Sequence, residues 1–596
     1  MAECIRKRSE IENKYKWNLT HIYPSDEAWQ ADYDSLAGKV EELTALNGKV
    51  AEDPKKAIRT FFDLQKQLMP VFEYAFLRKE TDNKDPKAQA LKDMAIRQMV
   101  QAGAAGAFLE PELLALDEDT LHFLMTDPEM ADYDAYLRSV LRNKAHTLPK
   151  EQEHLIAMMG EVAEAPDAIF TSLTEADMKL PPVIMPDGTS QQLTEGNYSS
   201  FIHHPNREVR RQAFQNLMNT YRSFGNTIAA TYGASVKKDV FMASSHRYES
   251  ARQAAMDPLE IPEAVYDNLI QVVHEALPTL QEYLKLRKKV MGLDELHMYD
   301  LYASMIEDYE MKLPYEEAFE LVLEGLKPMG EDYLEKLREA KANGWIDVYP
   351  SEGKSSGAFS SGSLMNVHPY VLLNHNDNLD STFTIAHELG HSMHSFFSNT
   401  NQPFPKNDYS LFVAEVASIC NECVMMRSLL STMKEKKAQA YLLNYFLEQF
   451  RTTCFRQTMF AEFEKISHEM VQQGTPLTKE SLSEKYYELN QLYYGATCKV
   501  DEEIAAEWMR IPHFYRAFYV YVYATGLCAA VSLSERILNE GEKAVRDYRK
   551  FLSAGCSVSP IEALKLAGID MSSPEPIRKA MNVFKVTVEK MKEVLE

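Results

Sequence analysis

The sequence lacks any uninterrupted apolar run long enough to span a membrane. Its first residues, MAECIRKRSEIENKYKWNLT, also lack the apolar core that a secretory signal needs. These absences argue against a membrane-spanning or secreted protein. We therefore expect a cytoplasmic protein without a membrane partner.

Cysteine is scarce, with seven residues, of which six lie beyond residue 419. An odd and sparse set is not the disulfide framework of a small secreted domain. Cys420 and Cys423 form a CxxC pair, but neither a second pair nor a thioredoxin-like context accompanies them. The pair therefore predicts no metal or redox site.

Positive charge is also in deficit, because the formal net charge is -24. A polyanion gains nothing from a phosphate backbone or an anionic lipid surface, so we expect no nucleic-acid partner. The sequence does not indicate an oligomeric state.

Most of the chain shows apolar residues at helical spacing, and glycine is scarce, with 23 residues. Residues 178–196 break this pattern with Pro-Asp-Gly between short apolar runs, which predicts a small hairpin or an irregular crossing. Residues 345–377 break it with short β-type runs, which predict a small sheet. We expect a mainly α fold with a domain boundary near Leu180, dividing residues 1–180 from residues 181–596.

Residues 384–397, TIAHELGHSMHSFF, concentrate three histidines and one glutamate in an apolar run. His387, Glu388 and His391 fit the pattern HExxH. Residues four apart lie on one face of a helix, so the two imidazoles can bind one tetrahedral zinc ion. The Glu388 carboxylate can act as a base without being a ligand. The alternatives are a chance match or a structural histidine cluster, and a third ligand in suitable context would decide against both.

The motif lies well inside a predicted helix, NLDSTFTIAHELGHSMHSFFSN, rather than at its end. Asp380 and Ser381 provide a capping signal, and apolar residues follow at helical spacing. We therefore expect regular geometry at the two histidines.

Two residues are candidates for the third ligand. His394 lies three residues after His391, but three ligands on one straight helix would spread along about 10 Å of its axis. Glu415 lies in the next predicted helix, which the turn NTNQPFPKND allows to fold back antiparallel. We favour Glu415, which gives a His, His, Glu set with a position left open for water. We expect His394 to pack or hydrogen-bond beside the ligands, with ligation as the alternative.

The neighbours of Glu415 are apolar, which predicts an enclosed acid that needs a partner, although an acid that merely solvates the helix surface is the alternative. Glu422 lies seven residues on, along the same face, with Ser418 between them. An acid at that place could orient a ligand imidazole through its free N–H.

The chain resembles the thimet-oligopeptidase class of zinc metallopeptidases, and within it the oligoendopeptidase F family. The resemblance extends over nearly the whole chain. It rests on KWNLTHIYPSDEAW, LTEGNYSSFIHHPNREVRRQAF, SSHRYESARQAAM, HMYDLYA, HELGHSMH, FVAEVASICNE and IPHFYRAFYVYVYATG.

This resemblance implies an elongated helical two-part shell around a deep channel, with residues 1–180 as a lid-like half and residues 181–596 as the catalytic half. It also implies cleavage of short peptides rather than folded proteins. By motif position, one zinc ion per chain would be bound by the ligands His387, His391 and Glu415, with Glu388 as the base.

The family places a histidine and tyrosines late in the chain to stabilise the oxyanion, since imidazole N–H and phenol O–H can donate to it. The matching segment here points to His513 and Tyr519, and less directly to Tyr515 and Tyr521 as substrate-binding residues. Ordinary aromatic packing is the alternative for these tyrosines.

Residues 354–363, KSSGAFSSGS, resemble the family's glycine-rich edge segment. A substrate peptide could add to such a strand through main-chain hydrogen bonds, and Gly357 and Ala358 would allow close approach. A flexible loop is the alternative.

The hypothesis is therefore a zinc-dependent endopeptidase for short peptides. One alternative is a peptidase that trims fixed units from chain ends. Another is a binding scaffold with a degenerate peptidase fold, which predicts a broken motif. The sequence leaves open the cleavage preference and the metal bound in the cell, since N/O ligand sets bind several metals.

Overall fold

The structure, a computed structural model, describes residues 6–306 and 311–596. It is mainly helical, as predicted. The helices are α1 (Asp26–Thr44), α2 (Pro54–Thr81), α3 (Pro86–Gly106), α4 (Leu109–Leu114), α5 (Glu118–Thr126), α6 (Asp134–Lys144), α7 (Lys150–Met158), α8 (Gly160–Thr171), α9 (Glu195–Ile202), α10 (Arg207–Ser223), α11 (Gly225–Ser245), α12 (Ala251–Met256), α13 (Glu263–Val290), α14 (Tyr315–Gly325), α15 (Glu331–Ala342), α16 (Leu379–Asn401), α17 (Leu411–Thr432), α18 (Lys436–Gln449), α19 (Arg456–Gln472), α20 (Lys479–Tyr494), α21 (Tyr521–Glu540), α22 (Glu542–Leu552), α23 (Pro560–Leu566) and α24 (Glu575–Leu595).

Short strands interrupt the helices at β1 (Val183–Ile184), β2 (Ser190–Gln191), β3 (Leu296–His297), β4 (Ile346–Asp347), β5 (Phe359–Ser361), β6 (Tyr370–Leu372) and β7 (Cys498–Lys499). Strands β1 and β2 pair antiparallel, so the predicted hairpin is confirmed. The predicted sheet upstream of the HExxH helix is also confirmed. Its order is β4-β6-β5, with β4 parallel and β5 antiparallel to β6.

The chain divides into two compact units, each assembled from three separated stretches. The first unit comprises Met1–Ala145, Glu310–Ser431 and Ala530–Asp570. The second comprises His146–Tyr309, Thr432–Ala529 and Met571–Glu596. The boundary predicted near Leu180 falls inside the second unit, and the division into a lid-like half and a catalytic half stays a prediction.

In the first unit, α1, α2 and α3 pack through apolar faces that include Trp29, Leu36 and Leu68. The Trp29 indole is buried and donates to the carbonyl oxygen of Val71 over 2.8 Å, which satisfies its one polar atom. A second apolar cluster joins α2 to the three-stranded sheet and contains Trp17, Leu77, Tyr370 and Leu372. The sheet therefore lies against α2 as well as next to α16 in the chain.

The N-cap of helix α16 lies two residues before the predicted one. The expected capping signal at Asp380 and Ser381 is wrong, because the side-chain oxygen of Asn378 accepts from the Ser381 N–H over 2.8 Å. Asparagine is as good an N-cap as aspartate or serine, so the neighbouring Asp and Ser fall within the first turn. HExxH therefore lies in the regular middle of a 23-residue helix.

In the second unit, residues 436–472 are helical but contain a wider turn. Helices α18 and α19 are joined by a π-helical segment at Phe450–Phe455. Buried ion pairs add to the core of this unit, including Arg210 with Asp300 at 2.8 Å and Arg456 with Glu507 at 2.6 Å.

Within the residues that the structure describes, no helix is both long enough and apolar enough to cross a membrane. The CxxC cysteines, Cys420 and Cys423, are free thiols buried in α17. Burial raises the pKa of both thiols, so each behaves as an apolar core residue.

Candidate active site

Helices α16 and α17 approach closely because a glycine stands at their crossing. A Cβ at Gly390 would lie 2.5 Å from Cα of Ser418 and 2.8 Å from the carbonyl oxygen of Ala417. No other residue fits at this position without separating the two helices. The glycine inside HELGH therefore sets the distance over which α17 can reach the two histidines.

The contacts between α16 and α17 run in opposite order along the two helices, so the helices are antiparallel, as predicted. His387 lies beside Glu422, Gly390 beside Ser418, and His391 beside Glu415. Asn421 adds a buried link, since its Nδ2 donates to the carbonyl oxygen of Ala386 over 3.0 Å.

His387, His391 and Glu415 form a cluster whose ligand atoms all lie within 4.8 Å of one another. Oε2 of Glu415 is 3.4 Å from Nε2 of His387 and 3.6 Å from Nε2 of His391. Two imidazole nitrogens and one carboxylate oxygen on regular helices are the donor set of an open catalytic zinc site. The residues present thus fit a bound divalent metal.

Glu415 is more accessible than its apolar neighbours suggested. Its side chain is 38 % exposed, whereas Phe412, Val413 and Val416 are buried. The acid is half-buried rather than enclosed, because those neighbours point to other faces of α17, but it has the partners that the sequence predicts in His387 and His391. Burial raises the pKa of the Glu415 carboxyl, but hydrogen bonding with His387 and His391 outweighs burial and holds that pKa well below its ordinary value.

Glu422 contacts His387, which is the contact expected of an acid that orients a ligand imidazole. Its Oε1 lies 2.5 Å from Nδ1 of His387, which leaves Nε2 of that ring facing Glu415. Burial alone would lower the pKa of His387, but Glu415 and Glu422 raise it to about 10. A carboxylate on Nδ1 fixes the ring orientation that a metal ligand needs.

Ser418 contacts Glu415, since its Oγ donates to the Glu415 carbonyl oxygen over 2.9 Å and lies 3.3 Å from Oε2. Asn421, which the sequence reasoning did not single out, also accepts from the Tyr333 hydroxyl over 2.8 Å. The signal available for Asn421 was a polar residue inside an apolar helix, which needs partners when buried.

Glu388 points its carboxyl into a largely buried environment, with 6 % of the residue exposed. Burial raises the pKa of Glu388 above its ordinary value. A carboxylate with a raised pKa is a better proton acceptor for acid–base chemistry. Its backbone is held as well, because Ser392 Oγ donates to the Glu388 carbonyl oxygen over 2.9 Å.

His394 does not belong to the cluster of three. Its ring is buried and stacks on Tyr409 with 3.7 Å between ring centroids. Burial lowers the pKa of His394 to about 3, so the ring is neutral. In the structure His394 is a packing residue rather than a neighbour of the ligand atoms.

The glycine-rich segment forms strand β5, and Gly357 and Ala358 lead into it. Gly357 adopts a φ of 84°, a conformation that favours glycine. Its carbonyl oxygen accepts from Nδ2 of Asn374 over 2.8 Å, which makes the segment an anchored strand rather than a flexible loop.

His513 and Tyr519 belong to the second unit, where their rings lie parallel with 6.2 Å between centroids. Tyr523, which the sequence reasoning did not choose, contacts both: its hydroxyl is 3.4 Å from Nε2 of His513, and its ring meets Tyr519 edge-on at 5.4 Å. The i, i+4 spacing of Tyr519 and Tyr523 could have indicated this pair. Burial, together with Arg516 and Arg456, lowers the pKa of His513.

Tyr515 and Tyr521 have other surroundings in the same unit. The Tyr515 hydroxyl is 2.7 Å from Oγ1 of Thr231, and its ring stacks on Phe170 at 4.5 Å. Tyr521 is 1 % exposed and packs against Tyr266 at 5.0 Å. Their predicted roles in substrate binding stay predictions.

Comparison with known families finds two matches. The sequence profile described as Peptidase family M3 matches residues 200–583, and the profile described as Oligopeptidase F matches residues 112–179. The first of these covers more than half of the chain.

Individual relatives agree with this result. The chain is 43% identical to oligopeptidase PepF of Bacillus subtilis, over 100% of this chain and 89% of that protein. It is 39% identical to group B oligopeptidase PepB of Streptococcus agalactiae, over 97% of this chain and 96% of that protein. A crystal structure of oligoendopeptidase-F from Enterococcus faecium matches with a TM-score of 0.74 and 34% identity, over 96% of this chain and 99% of that one.

Proposed function

The chain belongs to peptidase family M3, and from that premise we propose that it is a zinc-dependent oligoendopeptidase. Membership makes it a metalloendopeptidase that hydrolyses peptides. The proposal adds that His387, His391 and Glu415 bind one zinc ion and that Glu388 is the general base. The single observation that carries it is the cluster of three ligand groups from two helices, all within 4.8 Å.

Zinc at this cluster would polarise the scissile carbonyl and make a water molecule more acidic. The other groups act on protons and orientation. Glu388 accepts a proton from the attacking water and passes it to the departing amine. Its buried position, which raises its pKa, suits both steps.

His513 and Tyr519 are proposed to stabilise the oxyanion that forms as the carbonyl is attacked. A neutral imidazole and a phenol each present one polar hydrogen to a developing negative charge. The lowered pKa of His513 supports a neutral ring that donates through N–H. The contact between Tyr523 and His513 favours a fixed ring orientation.

Peptide substrates are proposed to bind along β5, with Gly357 and Ala358 at the start of the contact. In the part of the sheet that the structure describes, the order is β4-β6-β5, so β5 is an edge strand and no strand pairs with its other side. Main-chain pairing tolerates many side chains, which suits an enzyme that cleaves varied short peptides.

The experiment that tests this function is a digest of a mixed pool of short peptides with both termini blocked, read by mass spectrometry. Wild type should cleave internal bonds and stop when a chelator is added, and zinc should restore cleavage. Glu388→Gln should retain metal and lose cleavage by at least about 100-fold, the range of general acid–base catalysis. Glu317→Gln, at an exposed glutamate of α14, is the matched control and should cleave at the wild-type rate.

Cleavage by Glu388→Gln at a near wild-type rate would refute the assignment of the base. Cleavage that survives the chelator would refute metal dependence. Removal of only terminal units from unblocked peptides would indicate an exopeptidase instead. Repeating the restoration with cobalt and manganese would identify the metals that the site accepts.

A further inference from the structure

Strand β5 lies between two helices of the first unit and is attached to both. On one face, Phe359 packs against Phe76 of α2 at 5.5 Å. On the other face, Oγ of Ser360 lies 2.8 Å from Oγ of Ser392 of α16. Since neighbouring residues of a strand point to opposite faces, Ser361 returns to the α2 side, where it contacts Glu73.

Glu73 is an unusual residue for its position. It lies in the middle of α2 with 4 % of its surface exposed, in a helix whose neighbouring inward positions are apolar. Both carboxyl oxygens accept hydrogen bonds from the β5 segment. Oε1 accepts from Ser361 Oγ, and Oε2 accepts from Ser363 Oγ over 3.0 Å.

Burying an acid is costly even when it is hydrogen-bonded, and an apolar residue here would pack more favourably. Burial raises the pKa of Glu73, while its two serine partners partly oppose that shift. Stability alone therefore does not account for this carboxyl. Its partners show what it does: it holds two alternate residues of one short segment.

The opposite face of β5 is connected to the residue proposed as the base. Ser392 Oγ donates to the Glu388 carbonyl oxygen over 2.9 Å, so its single proton is used there. Ser360 is then the donor in the hydrogen bond between the two serines. The chain of bonds runs from β5 through Ser392 to the backbone of Glu388.

The end of β5 also lies directly on α16. A Cβ at Gly362 would be 2.3 Å from Cβ of Ser395, so only glycine permits this approach. Nδ2 of Asn399 donates to the carbonyl oxygens of Gly362, over 2.8 Å, and Leu364, over 3.1 Å. The segment from Ser360 to Leu364 is thus attached to the metal-binding helix at three successive points.

We propose that Glu73 is a positioning residue that fixes the register of β5 against α16 and thereby selects the substrate bond that is cleaved. The inference rests on the proposed function, in which a peptide pairs with the open edge of β5. A shift of one residue moves a paired peptide by about 3.3 Å and exchanges its faces. Glu73 holds β5 from the side opposite to α16. In this way it maintains both contacts of β5 with α16, the hydrogen bond between Ser360 and Ser392 and the close approach of Gly362 to Ser395.

The test compares Glu73→Leu, Glu73→Gln and a control, Thr81→Val. Thr81 is also a buried polar residue of α2, but its hydroxyl donates to the carbonyl oxygen of Arg78 in its own helix, over 2.8 Å. Each variant is assayed on one blocked peptide, with the cleaved bonds mapped by mass spectrometry, and kcat, KM and bound zinc are measured.

Glu73→Leu should raise KM by about tenfold and spread cleavage to neighbouring bonds, as expected for the loss of two hydrogen bonds to a buried acceptor. Its zinc content should equal that of wild type. Glu73→Gln can accept a hydrogen bond from one serine and donate one to the other. It should therefore keep the KM and the single cleavage site of wild type. Thr81→Val should match wild type in all three measurements.

The inference is overturned if folded Glu73→Leu cleaves the same bond with unchanged KM. It is also overturned if Glu73→Leu lowers only kcat and thermal stability, which a merely structural role would explain. If Glu73→Leu yields no folded protein, Ser363→Ala decides in its place, because it removes one of the two hydrogen bonds that Glu73 accepts and should change KM and the cleaved bonds in the same direction. Failure of the proposed function is distinct: wild type itself would then show no chelator-sensitive cleavage.

Discussion

The pair of helices α16 and α17 differs from the segment of residues 511–523 in how its side chains are fixed. In the helix pair, the positions of His387 and Glu415 follow from regular spacing and one close crossing at Gly390. In the segment, short 3-10 turns are followed by Phe518, whose φ of 52° is rare for a residue with a side chain.

The segment is held by a distant residue instead of by its own periodicity. The N–H of Phe518 donates over 2.7 Å to the carboxyl of Glu464, which is completely buried in α19. A strained residue persists only where its surroundings determine it. Sequence spacing is therefore a good guide to the cluster of His387, His391 and Glu415 and a poor guide to the surroundings of the tyrosines. We expect the two regions to respond differently to substitution.

The largest effect is expected from Glu415→Ala in the helix pair. Removal of one of three protein ligands should leave the protein without zinc after dialysis and lower kcat/KM by at least about 1,000-fold. Metal content is measured by elemental analysis. His394→Phe, treated in the same way, should keep its zinc. The reverse result, with zinc kept by Glu415→Ala and lost by His394→Phe, would make His394 the third ligand.

The next largest effect is expected in the segment of residues 511–523. Tyr519→Phe should lower kcat by about 100-fold with little change in KM, because one oxyanion donor is lost while metal and substrate still bind. Steady-state kinetics on a blocked peptide measures both constants. Tyr521→Phe is the comparison variant and should lower kcat less, since its ring is buried against Tyr266. A larger loss from Tyr521→Phe would reverse this choice between the tyrosines.

A smaller effect is expected from Glu422→Gln, which leaves all three ligands in place. Loss of the carboxylate at Nδ1 of His387 should weaken zinc binding by about 10- to 100-fold. Competition with a chelator of known affinity measures the change. Glu335→Gln, at an exposed position of α15, should bind zinc as wild type does. Equal affinities for wild type and Glu422→Gln would show that the 2.5 Å contact does not support the metal.

The smallest effect concerns the stability of the helix pair against acid. Burial lowers the pKa of His394 from the ordinary value of 6.5 to about 3. Between these two pH values a proton therefore binds mainly to the unfolded chain. The stability that neutral His394 preserves is present above about pH 6.5 and is lost as the pH falls toward 3.

The melting temperature of His394→Phe should therefore fall less than that of wild type as the pH is lowered from about 7 to about 5. Differential scanning calorimetry of the metal-free proteins at several pH values gives the comparison. His122→Phe, at an exposed position of α5, should follow the wild-type curve. Parallel curves for wild type and His394→Phe would contradict the assignment of a neutral buried ring.

Features set by local spacing could be predicted from the sequence. The helical class, the hairpin at β1 and β2, the sheet before α16, and the convergence of His387, His391 and Glu415 all follow from periodicity or turn residues. The cap of α16 was misplaced because several adjacent residues could fill that role, and Asn378 does so.

Features set by contacts between distant residues could not be predicted. Each unit combines three separated stretches, which no local pattern encodes. Glu73 contacts Ser361 across 288 positions, and the ring that packs against Tyr521 is Tyr266, which belongs to the distant helix α13. How far Glu415 is exposed also depends on which face of α17 its apolar neighbours occupy, although its partners His387 and His391 were predicted.

The most direct test of the metal centre is anomalous diffraction from crystals of the zinc-loaded wild-type protein, recorded on both sides of the zinc absorption edge. We predict a single anomalous peak about 2.0–2.2 Å from Nε2 of His387, Nε2 of His391 and a carboxylate oxygen of Glu415. A peak elsewhere, or the three side chains turned apart with no peak between them, would contradict the assignment.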